Sequence, residues 1–230
     1  MGMMNAKEVL SLEKVSVRYE GSTGHALKEC SFAVHEGERV ALLGLNGSGK
    51  TSLLMTVAGL LPHDGAIIVD GIELSGKTLR QIRRKIGFLF SVPDDQLLFP
   101  RAVDDVAFSL TRQGVAGVEA QRRSTAALST MGVGDFGASA PYELSHGQKT
   151  RVALAGILVH EPRLLLLDEP SGALDPPGKR DLAGLFTSHP AAMLIATHDL
   201  SFAAACCTRY ILLEDGRLTK DTPRIDDIAL

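Results

Sequence analysis

Cysteine is scarce: Cys30 and the adjacent pair Cys206 and Cys207 are the whole supply in 230 residues. Their spacing fits neither a disulfide framework nor a thiolate metal site, so a reducing cytosol is the expected home. No apolar run approaches the ~18 residues needed to cross a bilayer. Met1–Asn5 also lacks the apolar centre of a signal peptide. Work at a membrane would therefore have to go through partners. A net charge of −3 gives no global attraction to nucleic acid, which is not expected as a partner. Internal repeats and low-complexity tracts are absent. What is present is an ordinary globular profile, 45% hydrophobic and 22% charged, in a length that suits one or two domains around a sizeable core.

Within that profile one stretch carries definite chemistry, Gly44-Leu45-Asn46-Gly47-Ser48-Gly49-Lys50-Thr51. The apolar run Val40–Leu43 precedes it and the helix-like Ser52–Ala58 follows, giving strand, glycine-rich turn and helix start in the order a phosphate loop needs. Glycines let successive N–H groups face one point, and the helix N-terminus adds partial positive charge there. Lys50 is placed to reach terminal phosphates, and the Thr51 hydroxyl to hold Mg²⁺. Asn46, Gly47, Ser48, Gly49 and Ser52 complete the candidate nucleoside-triphosphate site around them.

The remaining chain reads as an α/β domain. Residues 9–19 and Cys30–Val34 are strand candidates, followed by Gly65–Asp70 and the short apolar run Ile86–Phe90. From about 92 to 160 the spacing turns helical, with glycine-bearing breaks at 114–117 and 132–137, which predicts an inserted helical subdomain. Buried-strand patterns then resume. Leu164–Leu167 ends in Asp168 and Glu169, and Ala192–Thr197 ends in His198. Ligands in such sheets lie beyond the carboxyl ends of the strands, so these ends are expected to meet the phosphate loop. Asp168 suits a Mg²⁺ ligand and Glu169 a base that orients water. His198 is either a member of that site or a strand-end histidine with a capping role. Tyr19 is either a rim packing residue or a stacking surface for a base. Ser145 is a good N-cap for the helix-like Val152–Leu158 segment, which makes a second anion-binding helix start far from the first in sequence.

With these residues in view, the sequence resembles the ATP-binding-cassette ATPases over nearly its whole length. The phosphate loop, Leu144-Ser145-His146-Gly147-Gln148, the Leu164–Glu169 strand, Ser171–Asp175 and Thr197-His198-Asp199 fall in that family's order. The resemblance implies one P-loop NTPase domain over residues 1–230, with a mostly parallel sheet, an N-terminal antiparallel β portion and the helical insert. It implies ATP and Mg²⁺ as cofactors, and a head-to-tail homodimer or heterodimer with ATP between Lys50 of one chain and Ser145, Gly147 and Gln148 of the other. It makes Tyr19 the adenine stacker, Glu169 the catalytic carboxylate and His198 the γ-phosphate sensor. Phe90–Leu97 and Val103–Phe108 are similar to the ATPase subunit of energy-coupling-factor importers of the cobalt/nickel type. That narrower likeness implies an integral membrane coupling protein, a substrate-binding membrane subunit and a place on the cytoplasmic face of the membrane. Other ABC importer or exporter ATPases, or a nucleotide-dependent regulator, are the rival readings.

Departures from the family pattern set further expectations. His146 replaces a usual glycine. Ser91 replaces the glutamine that approaches the metal, and is expected near Mg²⁺ through a water, with Gln96 the alternative. The chain ends soon after Arg217, leaving little room for a long C-terminal dimerisation segment. Leu97, Leu98 and Phe99 are either an apolar docking knob or core of the helical insert.

Overall fold

The computed structural model describes residues 7–172 and 174–229. Met1–Asn5 and Ala173, a member of the Ser171–Asp175 motif, lie outside the described residues. Strands β1 (Glu8–Val17) and β2 (Leu27–His35) pair antiparallel, β3 (Arg39–Leu43) opens a second sheet, and β4 (Asp64–Val69) returns to β1 with β5 (Ile72–Glu73) at its edge. The second sheet adds β6 (Ile86–Leu89), β7 (Leu164–Asp168), β8 (Ala192–Thr197), β9 (Arg209–Glu214) and β10 (Arg217–Thr222) in the order β10-β9-β3-β8-β7-β6. All neighbours there are parallel except β9 and β10. The expected mostly parallel sheet with an antiparallel N-terminal portion is what forms.

Why these runs become buried strands follows from their sequence. β7 and β8 are covered on both faces, and every residue in them is buried, so they show no polar alternation. Successive side chains point to opposite faces. Leu165, Leu167, Met193 and Ile195 join the helical side of the core, while Leu164, Leu166 and Leu194 join β1, β2 and the phosphate-loop helix α1 (Lys50–Val57).

After the short α2 (Leu79–Arg83), three helices lie between β6 and β7: α3 (Ala102–Thr111), α4 (Gly117–Thr130) and α5 (His146–Leu158). They pack on one another through Val106, Leu110, Ala120, Leu128 and Val152, all buried. The helical texture expected for 92–160 thus resolves into three helices and short 3-10 turns. Two further helices were not singled out from sequence, α6 (Pro176–Ser188) and α7 (Leu200–Cys206). Their starts are set by Asp175 and Asp199, whose carboxylates accept from Gly178 N at 2.9 Å and Phe202 N at 2.9 Å.

Register decides where the chemistry goes. Leu43 stands opposite Thr197, Asp168 opposite Ala196 and Leu89 opposite Leu167. The carboxyl ends of β3, β8, β7 and β6 are therefore level, and the loops leaving them open on one edge of the sheet.

Candidate functional site

The loop after β3 needs its glycines for space as well as for conformation. Gly49 sits at φ +108°, and a Cβ there would lie 2.7 Å from the Ala26 carbonyl oxygen. Gly47 is also left-handed, at φ +82°. The turn delivers Lys50, which is 6% exposed, with Nζ donating to the carbonyls of Gly44 at 2.6 Å and Leu45 at 3.1 Å. Burial holds its pKa below the ordinary lysine value, against the opposing charges of Glu169 and Asp168. The ammonium thus rests on the rim of the loop it would release to reach a phosphate.

Asp168 ends β7 almost fully buried and accepts a 2.8 Å hydrogen bond from Thr51 Oγ1. Burial pushes its carboxyl pKa up, the Thr51 bond pulls it down, the Glu169 charge raises it, and Lys50 and the Ser91 hydroxyl lower it. Ser91 therefore sits beside Asp168. The next residue, Glu169, adopts φ +47°, an uncommon conformation for a side-chain-bearing residue. Its N–H donates to Ala196 O at 2.9 Å, and both carboxylate oxygens are engaged, Oε2 by Thr197 Oγ1 at 3.0 Å and Oε1 by His198 Nδ1 at 2.8 Å. Thr197, fully buried, was not singled out from sequence, although it stands in the quoted Thr197-His198-Asp199 run.

Tyr19, Asn46, Gly47, Gly49, Lys50, Thr51, Ser52, Ser91, Asp168 and Glu169 share one cleft of about 480 Å³. Tyr19 lies at its mouth, 44% exposed, with its hydroxyl 2.9 Å from Ser52 Oγ. Ser48 departs from this group: it lines an adjoining cavity that shares Asn46 and Gly47 with the first and includes Leu212 and Glu214. His198 does not line the cleft but reaches it through Glu169.

Ser145, Gly147 and Gln148 are elsewhere. They line another cavity, with Leu174 and Asp175, that shares no residue with the first. Ser145 caps α5 in a reciprocal pair: its N–H donates to Gln148 Oε1 at 2.7 Å, and its Oγ accepts from Gln148 N at 3.3 Å. A single chain therefore does not bring its two anion-binding helix starts together.

The described residues contain no cluster of three or more His, Cys, Asp or Glu side chains able to hold a metal alone. Gathered around Asp168 in the cleft are its own carboxylate and two hydroxyls, those of Thr51 and Ser91. That set fits a hard cation that also takes phosphate and water oxygens.

Gln96 is turned back onto the end of β6, donating Nε2 to Phe88 O at 3.2 Å and accepting from Phe90 N at 3.3 Å. It is not aimed at the cleft. The apolar trio after it divides: Leu97 is core at 8% exposed, Leu98 is 77% exposed, and Phe99 is half-buried, its ring 5.2 Å from that of Phe108. Leu97 thus belongs to the core, while Leu98 is exposed. Asp105 Oδ1 accepts from the N–H groups of Leu98 at 2.7 Å and Phe99 at 3.1 Å. A further cavity of about 400 Å³ opens there, lined by Leu97, Leu98, Phe99, Phe108, Val152 and Ile157 among others.

Residues 27–172 match the family described as ABC transporter. The energy-coupling factor transporter ATP-binding protein EcfA1 of Levilactobacillus brevis is 37% identical over 220 residues, 94% of this chain and 78% of that protein. The structure of cbiO1 from Clostridium perfringens, part of the ABC transporter complex cbiONQ, superposes with a TM-score of 0.83 at 33% identity, covering 94% of this chain and 88% of that one. A dimeric, post-hydrolysis structure of the ATP-binding cassette MJ0796 bound to ADP and Pi has a TM-score of 0.84 at 29% identity, covering 93% and 98%.

Proposed function

The chain belongs to the ABC transporter family as an ATP-hydrolysing, ATP-binding subunit, and from that premise we propose that it powers import of a small nutrient, Co²⁺ or Ni²⁺, through an energy-coupling-factor type transporter. The observation that carries the mechanism is the separation of the Lys50 cleft from the Ser145 cavity on one chain. Two chains arranged head to tail would each complete the other's site, with ATP between them. The dimeric cassette of MJ0796 supports that arrangement. In it, Lys50 and the loop N–H groups hold the phosphates, Tyr19 stacks on the base, and Ser145, Gly147 and the α5 N-terminus close the site from the partner. Glu169 orients and deprotonates the attacking water, while His198 and Thr197 fix both of its oxygens. Mg²⁺, held by Thr51 and Asp168 with Ser91 beside them, would supply positive charge to the phosphate oxygens.

No described helix is long and apolar enough to cross a membrane, so translocation is assigned to integral membrane partners, a coupling protein and a substrate-binding subunit. The exposed Leu98 and the apolar groove beside it are the proposed seat of the coupling protein, at the cytoplasmic face. The likeness to EcfA1 and cbiO1 supports the energy-coupling class. The cobalt or nickel assignment rests on the Phe90–Leu97 and Val103–Phe108 stretches. Co-expression with the membrane partners, followed by Co²⁺ and Ni²⁺ uptake, tests it. Uptake of a vitamin or another solute in their place would move the chain to another ABC importer, and ATP turnover without transport would favour a regulator.

A further inference from the structure

Beside the apolar groove lies a cavity of about 420 Å³ of opposite character. Arg80, Arg83 and Arg84 from α2 and its end, Arg112 from the end of α3, and His160 line it, with no carboxylate among its lining residues. In a chain of net charge −3, four guanidinium groups around one concavity are a local reversal of sign. Arg83 is fixed by the carbonyls of Ala58 at 3.3 Å and Gly59 at 3.0 Å. Arg80, Arg84 and Arg112 have no acidic or hydrogen-bonding partner among the described residues, and Arg112 lies over the Phe108 ring at 5.6 Å. His160 adds a buried Nδ1 that also has no hydrogen-bond partner. Like charges gathered this way repel, and arginine forks are suited to planar carboxylates and phosphates.

We infer that this arginine cavity receives the carboxylates of an acidic segment on the protein partner that fills the adjoining apolar groove. The inference rests on the docking reading above. Phe108 and Ser109 line both cavities, so an occupant of one abuts the other. A free anion would leave Leu98 and Phe108 bare, and a lipid surface meets arginines on a protruding face more readily than inside a concavity. A peptide segment with an apolar anchor and acidic side chains one helical turn away satisfies both cavities together. Charge then selects the partner and sets its direction in the groove.

The test uses the full chain and two synthetic amphipathic peptides of about 15 residues, ~4 helical turns. Each presents leucines on one face, followed by glutamates in one peptide and glutamines in the other. The glutamate peptide is expected to bind about tenfold more tightly, an advantage that shrinks as salt is raised. Arg80→Gln with Arg84→Gln should abolish the preference, and Arg112→Gln alone should reduce it. Leu98→Asp should weaken both peptides. Melting temperatures matching the parent would show that the exposed arginine variants fold. Equal binding of the two peptides, still lost in Leu98→Asp, would overturn the arginine inference and leave the docking reading standing. Binding of neither would overturn both. Arginine-dependent binding to phosphatidylglycerol vesicles without peptide discrimination would reassign the cavity to lipid headgroups.

Discussion

Replacing Glu169 by Gln tests the proposed chemistry with the least structural disturbance. The substitution is isosteric, and both hydrogen bonds have a counterpart. Thr197 Oγ1, 3.0 Å from Oε2, can donate to the amide oxygen, and the amide NH₂ can face His198 Nδ1, 2.8 Å from Oε1, in the tautomer that accepts. The left-handed backbone at φ +47° and the 169 N–H bond to Ala196 O are untouched. What disappears is the proton acceptor. A positioned general base contributes about 10²–10⁴ in rate, which is ~3–5 kcal/mol of barrier. ATP affinity should not fall, because one of two adjacent negative charges near the phosphates is gone. Asp168 also ionises more readily once the Glu169 charge that raises its pKa is removed. Steady-state phosphate release from the purified chain should therefore drop at least a hundredfold, with equal or tighter ATP binding and an unchanged melting temperature. Size-exclusion chromatography with ATP should show a trapped dimer. Turnover within about tenfold of the parent, in a variant that folds and binds ATP, would mean that Glu169 is not the base.

Lys50→Ala should abolish ATP binding in equilibrium dialysis, because the phosphates lose the one buried ammonium in the cleft. Leu98→Asp should uncouple transport from ATP turnover in the assembled complex while the melting temperature stays at the parent value, since the side chain is 77% exposed; aggregation of the purified variant would refute that. Ser91→Gln should tighten Mg²⁺ binding or raise turnover, and no response to it would remove Ser91 from the metal. Gln96→Ala should lower stability by about 1–3 kcal/mol in urea denaturation, because it removes two hydrogen bonds at the end of β6 and leaves Phe90 N unpaired. Asp70 is held below the ordinary carboxylate value of 3.8 by hydrogen bonds from Lys7 and then Lys85. A depressed folded pKa means stability present above 3.8 and lost as pH falls through the folded value. Between about pH 5 and pH 2 the Asp70→Asn chain should consequently lose less stability than the parent.

Legibility in the sequence follows how local each signal is. The phosphate loop was readable because Gly44–Thr51 is contiguous and flanked by elements of the right kind. Asp168, Glu169 and His198 were readable because a doubly covered strand is an apolar run, and its polar end marks the sheet edge where ligands bind. By contrast, α6 hides its start behind Pro176 and Pro177, which look like breakers but fit the first turn of a helix capped by Asp175. Its buried positions, Gly178, Leu182, Ala183 and Phe186, include only two large apolar side chains. The split between Leu97 and Leu98 depends on which way a short turn faces, and composition carries no direction. Arg80, Arg83 and Arg84 are neighbours in sequence, but Arg112 and His160 reach the same cavity from distant segments, so only tertiary structure assembles it.

The segment from Asp94 to Phe99 has a mechanical position that none of its residues has alone. Asp94 pairs with Lys149, which follows Gln148 in the first turn of α5. Gln96 clamps the end of β6 through Phe88 O and through the N–H of Phe90, the residue before Ser91 in the Asp168 cleft. Leu98 and Phe99 are tied through their N–H groups to Asp105 on α3. One short turn is thus bonded to the strand end beside the phosphate cleft, to the helix start that would face a partner's ATP, and to the helix that carries the exposed apolar groove. Leu98 is thereby linked through short bonded steps to both nucleotide-facing elements. The bonds are few and most are half-exposed, so each is worth little singly. What they have in common is that all of them fall within one six-residue segment, Asp94–Phe99.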